Sequence, residues 1–339
     1  MLAGRPGRAP GPGGLRWRGE GVPGQPGADR REVLTATFEK KYGITVEYLG
    51  ARGSELIPRV KAEREAGKYM WDVYMGGFNS PLDGLRPIGA LDPLEPALIL
   101  PDVKDPKNWK DGQLHFADKD RLVINLTGSS PEPFMVNSNL VDPKQFKSYK
   151  DLLDPKWKGK MMMRDPRVSG SGNDKFVFYY LHKDLGPEFI RALAKQDIKI
   201  MRDDQTELTW LAEGRYSILI GGSSASTLAM RERGVTNIGM VGAGQLKEGG
   251  HIVPGWAAVA LFNKAPHPNA AKVYINWILS KETMTEIARV GGYASLRLDV
   301  PTDHLEDWAV PRAGYLDLLK EEAWKAADPL TPLLKELLG

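Results

Sequence analysis

The sequence predicts an α/β protein built in two sections, each a sheet flanked by helices. Three observations carry this. Helical and strand-like runs alternate with short loops from Val33 to Gly77, and the pattern recurs from Asn173 to Val241. The 339 residues, 42% of them hydrophobic, suffice for two ordinary cores or one large one. No apolar run approaches the roughly eighteen residues that a membrane-spanning helix needs.

Element by element, Val33, Leu34, Phe38 and Tyr42 follow helical spacing, and Gly43 closes the helix. Ile44 to Tyr48 alternates as a strand, Ala51 to Ser54 turns, and Glu55, Leu56 and Val60 open a second helix. Asp72 to Met75 reads as a short buried strand ending in Gly76-Gly77. After a Pro-rich irregular stretch come two close strand-like runs, Leu122–Leu126 and Pro133–Asn137, with Thr127-Gly128-Ser129-Ser130 between them. Lys160–Met163 is a strand, and Asn173 or Asp174 is expected to cap a helix running to Leu181. Strands at Ile198–Met201, Tyr216–Ile220, Ile238–Val241 and Ala257–Phe262 then alternate with helices, and two helices around Leu316–Lys325 and Leu333–Leu338 end the chain.

The charge of +3 comes from the first thirty residues, with five Arg against one Asp and one Glu; residues 31–339 carry 41 of each sign. A folded part that is neutral argues against nucleic-acid binding. The absence of cysteine excludes disulfides, thiolate metal sites and cysteine nucleophiles. Residues 1–30 are rich in Gly, Pro and Arg and lack the apolar run of a signal peptide. They are expected to be a disordered or artefactual leader outside the native fold. In this expectation the natural protein begins with an export signal and an apolar strand that this segment replaces, because Gly19 to Gly27 makes an implausible strand.

Several stretches from about Val33 to Val300 resemble bacterial extracellular solute-binding proteins of ABC importers, the group that includes ferric-iron-binding proteins. They include Gly53-Ser54-Glu55-Leu56, Trp71-Asp72-Val73, Val136-Asn137-Ser138-Asn139-Leu140-Val141, Leu152 to Lys160, and Asp165-Pro166 with Ser169-Gly170. Ala265 to Lys272 and Trp277-Ile278-Leu279-Ser280 complete the order. The resemblance implies a type II periplasmic-binding-protein fold: two α/β lobes with mixed sheets, joined by two crossover strands, with the ligand between them. The expected division is lobe 1 over 31–127 plus 245–300, lobe 2 over 128–244, and C-terminal helices over 301–339 packing on the lobes.

Ligands of open α/β sheets bind beyond the carboxyl ends of strands. That rule selects four loops. Arg52-Gly53-Ser54-Glu55 opens a helix whose N-terminus favours an anion. Gly77 and Asn79 follow a strand at a glycine pair that lets a ligand approach the backbone. Arg164, Ser169, Gly170 and Ser171 form the best anion cradle in the chain, without the Gly-Lys-Ser/Thr spacing of a nucleotide-binding loop. Gly221-Gly222-Ser223-Ser224 follows the strand at Tyr216. Trp256 is a candidate for stacking on a ligand, and Tyr293 and Arg297 are secondary candidates.

The expected function is capture of a small polar or anionic ligand in an interlobe cleft and its delivery to a membrane permease. The protein is expected to be a monomer, periplasmic or extracellular, and anchored as a lipoprotein in the full-length form. No cofactor, catalytic residue or metal site is assigned, since no nucleophile elbow, His-rich motif or paired His spacing occurs. Ferric-iron binding is the alternative. The resemblance implies a tyrosine pair after the strand equivalent to Ile218–Ile220, where this chain has Gly-Gly-Ser-Ser; Tyr179 and Tyr180 instead fall in a helix, where core packing is expected.

Overall fold

The computed structural model describes residues 15–19, 28–51, 53–168, 170–255 and 257–339. The described residues divide into two compact units. The first runs to Leu126 and resumes over Trp256–Val290 and Leu296–Val300; the second comprises Thr127–Gly255, Gly291–Ser295 and Pro301–Gly339.

The chain enters with β1 (Leu15–Gly19), α1 (Ala28–Leu34), α2 (Ala36–Tyr42) and β2 (Val46–Gly50), followed by α3 (Gly53–Glu65) and β3 (Val73–Gly76). Short elements β4 (Leu91–Asp92) and α4 (Pro101–Lys104) precede β5 (Val123–Asn125). The second unit then builds β6 (Met135–Asn137), β7 (Met161–Arg164), α5 (Ser171–Leu181), α6 (Gly186–Ala194), β8 (Lys199–Met201) and α7 (Asp204–Ala212). It continues through β9 (Ile218–Ile220), α8 (Ser224–Glu232), β10 (Ile238–Met240) and β11 (His251–Ile252). The first unit is completed by β12 (Ala258–Phe262), α9 (Pro268–Ile278) and α10 (Lys281–Gly291), and the second by β13 (Leu316–Asp317), α11 (Glu321–Lys325) and α12 (Leu330–Leu338).

In the first unit the sheet order is β2-β1-β3-β12-β4, with β5 also paired to β12. β1 runs parallel to β2 and β3, whereas β12 is antiparallel to its neighbours. This corrects the expectation that residues 1–30 stand outside the fold: Trp17 pairs in register with Tyr48 on one side and Val73 on the other. Of the Gly and Pro residues that argued against a strand, Gly19 is the last residue of β1 and the others follow it, while Leu15-Arg16-Trp17-Arg18 alternates apolar and charged with the period of a strand. The expectation for residues 1–14 and 20–27 lies outside the described residues. Phe38 of α2 packs on Tyr274 and Trp277 of α9, with ring centroids 4.9 and 5.0 Å away.

The second unit's sheet has the order β10-β6-β9-β7-β8, with β7 parallel to β8 and β9, and β6 antiparallel to β9 and β10. Its central strands are covered on both faces, so Met161–Met163 and Ile218–Ile220 read as unbroken apolar runs. Met161 and Met163, Ile218 and Ile220, and Val136 face one cluster with the aromatic rings of Phe134, Tyr149, Phe178 and Tyr179. Met162, Leu219 and Met135 face the other, with Leu208 and Leu211 of α7.

Expected boundaries shift in three places. Residues 245–255, 291–295 and 301–339 belong to the second unit. β11 pairs with β13, and Leu330, Leu333 and Leu334 of α12 join the core cluster that holds α5 and α6. The expected helix from Leu316 begins instead at Glu321, after β13.

Candidate functional site

A cavity of about 430 Å3 opens within the second unit, lined only by residues of that unit. Three of its walls come from loops at the carboxyl ends of the parallel strands β7, β8 and β9, each leading into a helix. After β7 the chain turns through Asp165, whose buried carboxylate accepts from Arg167 at 2.8 Å and from Arg202 at 2.8 Å. Those guanidiniums, Arg167 first, hold the Asp165 carboxyl well below the usual carboxylate range. Gly170 then takes φ 137° and ψ −166°, a conformation essentially confined to glycine, and starts α5. The helix therefore begins two to three residues before the expected cap at Asn173 or Asp174.

Two further glycines let the β7 and β9 loops touch. A Cβ at Gly172 would meet the Arg164 carbonyl oxygen at 2.6 Å, and one at Gly221 would meet the Gly172 Cα at 2.8 Å. The Ser171 hydroxyl donates to the Gly221 carbonyl at 2.5 Å, tying the loops together. Gly221, at φ 77°, leads through Gly222 to Ser223, whose side chain caps α8 by accepting from the Ser226 N–H at 3.2 Å. The N-termini of α5 and α8 thus face one cavity with Gly170, Ser171, Gly222, Ser223 and Ser224 in its lining. Such termini present unpaired N–H groups and the positive end of the helix dipole.

Three of the four lining carboxyls face a cation. Glu132 and Lys175 are both buried, with Oε1 and Nζ 3.7 Å apart. The other Glu132 oxygen accepts from the Ser224 hydroxyl. Asp204 contacts Arg164, which also donates to the buried Glu207 at 3.1 Å. Burial pushes the Glu207 carboxyl up to about 7, Arg164 pulling it down and Asp203 pushing it up. Burial likewise lifts the Asp174 carboxyl to about 7, with Lys175 opposing and Glu132 adding to the rise. Glu306 pairs with Arg231 at 2.9 Å. What the cavity offers is therefore hydrogen-bonding capacity rather than a large net charge. Ser129 and Ser130, in the segment between β5 and β6, line it with hydroxyls that have no partner within the described residues.

The remaining wall is aromatic. Tyr293 lies against Gly255 and Gly291: a Cβ at Gly291 would meet its ring at 2.4 Å and one at Gly255 at 3.5 Å, so both positions make room for the ring. The Tyr293 carbonyl accepts from His304 Nε2 at 3.0 Å, and Trp308 also lines the cavity.

Of the residues singled out in the sequence, Arg164, Gly170, Ser171, Gly222, Ser223 and Ser224 line this cavity, and Gly221 supports it. Gly53, Ser54 and Glu55 start α3, and Gly77 and Asn79 follow β3, both at the carboxyl edge of the first unit's sheet on either side of β1. There Glu55 is exposed and the Gly77 carbonyl accepts from the Tyr74 hydroxyl at 3.2 Å. Arg52, Ser169 and Trp256 lie outside the described residues. Arg297 is not in this lining: it is buried, bonded to Asp299 at 2.9 Å and stacked on Trp109. Tyr179 is buried among Tyr149, Phe176 and Phe189, as its helical position implied. Sequence reasoning missed Glu132 and Lys175. The polar run Ser129-Ser130-Pro131-Glu132 between two apolar strands was the available signal for the first; Lys175, inside an apolar helix, gave a weaker one.

Two mixed α/β units with a polar cavity at the strand ends define a soluble-ligand receptor of the periplasmic-binding-protein type. The chain belongs to a family of bacterial extracellular solute-binding proteins, whose match spans residues 34–312. It is similar to iron uptake protein A1 of Synechocystis, 23% identical over 282 residues and covering 76% of this chain and 69% of that one. Among solved structures, the fold is similar to Mannheimia haemolytica ferric iron-binding protein A in an open conformation (TM-score 0.72, 18% identity, 96% of this chain and 98% of that one). It is also similar to the periplasmic binding protein AfuA of Actinobacillus pleuropneumoniae with fructose-6-phosphate bound (TM-score 0.63, 20% identity, 96% and 98%). As a member of this family the protein is a substrate-binding component of ABC transport. No helix among the described residues is long and apolar enough to cross a membrane.

Proposed function

We propose that the protein is a receptor rather than an enzyme, and that its second-unit cavity holds a small polar or anionic ligand for delivery to an ABC permease. One observation carries the reading: the N-termini of α5 and α8 and the hydroxyls of Ser129, Ser130, Ser171, Ser223 and Ser224 surround a single cavity in which Glu132 and Glu306 face Lys175 and Arg231. The protein works as a monomer outside the cytoplasmic membrane, and a lipid anchor in the full-length form belongs to the same reading.

Ferric iron as cargo is the second reading, favoured by the names of the relatives above. It needs hard anionic ligands. At the β9 loop the chain offers Gly221-Gly222-Ser223-Ser224, and the phenol within the cavity is Tyr293.

A thermal-shift screen against inorganic phosphate, citrate, spermidine and Fe(III) salts separates these. A ligand at a hundred times its Kd stabilises the fold by about 2.7 kcal/mol. An oxyanion that raises Tm, with the rise lost in Ser130→Ala, supports the proposal. A rise with Fe(III) alone, lost in Tyr293→Phe, supports iron instead.

A further inference from the structure

The Glu132–Lys175 pair has a feature that a structural ion pair lacks. At 3.7 Å its facing atoms stand beyond hydrogen-bond distance, and neither Glu132 Oε1 nor Lys175 Nζ has a hydrogen-bond partner within the described residues, although both are buried. The other Glu132 oxygen is held by Ser224, which fixes the carboxylate in place. Ser130, also buried, adds a third polar atom without a partner in the same lining. Buried charged groups left without hydrogen bonds are costly, so the arrangement calls for an occupant that supplies them.

An ammonium only donates and an ionised carboxylate only accepts. The occupant must therefore bring an acceptor for Lys175 and a donor for Glu132 within a few ångströms of each other. Sulfate brings acceptors alone and would set an anionic oxygen against Glu132. A phosphate or phosphonate carrying one proton brings both on a single tetrahedron. Its second ionisation lies near pH ~6 for an organic phosphate, so the singly protonated form is accessible close to neutrality.

We propose that Glu132 accepts the proton-bearing oxygen of a singly protonated tetrahedral oxyanion while Lys175 and Ser130 donate to its other oxygens, so that the cavity takes phosphates or phosphonates and rejects sulfate. This deepens the reading of the cavity as an oxyanion site and rests on it. Asp174 faces the same cavity from the same helix as Lys175, so the test must tell the two carboxyls apart.

Isothermal titration of the full chain with inorganic phosphate, glycerol 3-phosphate, methylphosphonate and sulfate provides that test. A hydrogen bond between charged partners corresponds to a phosphate-over-sulfate preference between about tenfold and a hundredfold. Glu132→Gln, whose amide can donate, should admit sulfate and collapse the preference to about threefold or less. If that variant does not fold, the wild-type preference decides. Tighter binding of glycerol 3-phosphate than of inorganic phosphate identifies an organic phosphate as the source, and the reverse identifies the free ion; either supports the proposal. Equal affinity for phosphate and sulfate overturns it while leaving the oxyanion reading intact. Relaxed selectivity in Asp174→Asn but not in Glu132→Gln overturns the assignment to Glu132. If citrate binds in a Ser130-dependent manner and none of these tetrahedral anions does, the proposal falls alone; if no oxyanion binds at all, both fall.

Discussion

Gly172→Ala sets two effects against each other. In the first turn of a helix, alanine is favoured over glycine by up to about 1 kcal/mol. Against that, the new Cβ would sit 2.6 Å from the Arg164 carbonyl oxygen and 3.0 Å from its carbon, both backbone atoms at the end of a central strand. Backbone cannot swing aside as a side-chain tip can, and overpacking of this kind typically costs about 1–3 kcal/mol. The clash should win, leaving a net loss of about 1–2 kcal/mol. For a domain of this size that is a fall in Tm of roughly 2–8 °C. Because Gly172 also touches the Gly221 loop, ligand affinity should drop with stability. Urea unfolding followed by circular dichroism measures the first and calorimetric titration with inorganic phosphate the second. A Gly172→Ala protein as stable as the parent or more so would refute the claim that close backbone approach, rather than helix propensity, selects glycine there.

Further outcomes follow from the same geometry. Lys175→Met leaves Glu132 buried without its counter-charge and should cost about 3–5 kcal/mol in urea unfolding; Lys175→Met with Glu132→Leu should recover most of that while abolishing oxyanion binding. Asp174 and Glu207 hold their protons up to about pH 7 in the folded protein but release them near their ordinary values of 3.8 and 4.5 when unfolded. Stability should therefore fall as pH rises from about 4 to 7, and Asp174→Asn should flatten the decline in a pH series of thermal melts. Asp165 has the opposite sign: Arg167 and Arg202 favour its ionised form, so its contribution should be lost on acidification below about pH 4 and be absent from Asp165→Asn.

Much of the second unit was legible because its strands are short and largely apolar and are bounded by glycine, proline or small polar residues. Met161–Arg164 and Ile218–Ile220 fell close to their expected places for that reason, and so did the small-residue loops after them. The start of α5 was misplaced because Asn173 and Asp174 look like caps, whereas a glycine in a conformation closed to other residues supplies the turn. β1 was missed because the surrounding glycine and proline dominate the composition and hide a five-residue alternation. Glu132 and Lys175 lie 43 residues apart in sequence. Only the packing of α5 against the segment before β6 brings them together, which no local pattern encodes.

Ligand binding at the strand-end cavity of the second unit, as proposed, has a local signature. Hydrogen–deuterium exchange with and without saturating inorganic phosphate reads it out. Slowed exchange concentrated in residues 129–132, 170–175 and 221–224 is the expected result. Unchanged exchange in those three segments, with protection confined to residues 53–55 and 77–79, would contradict it.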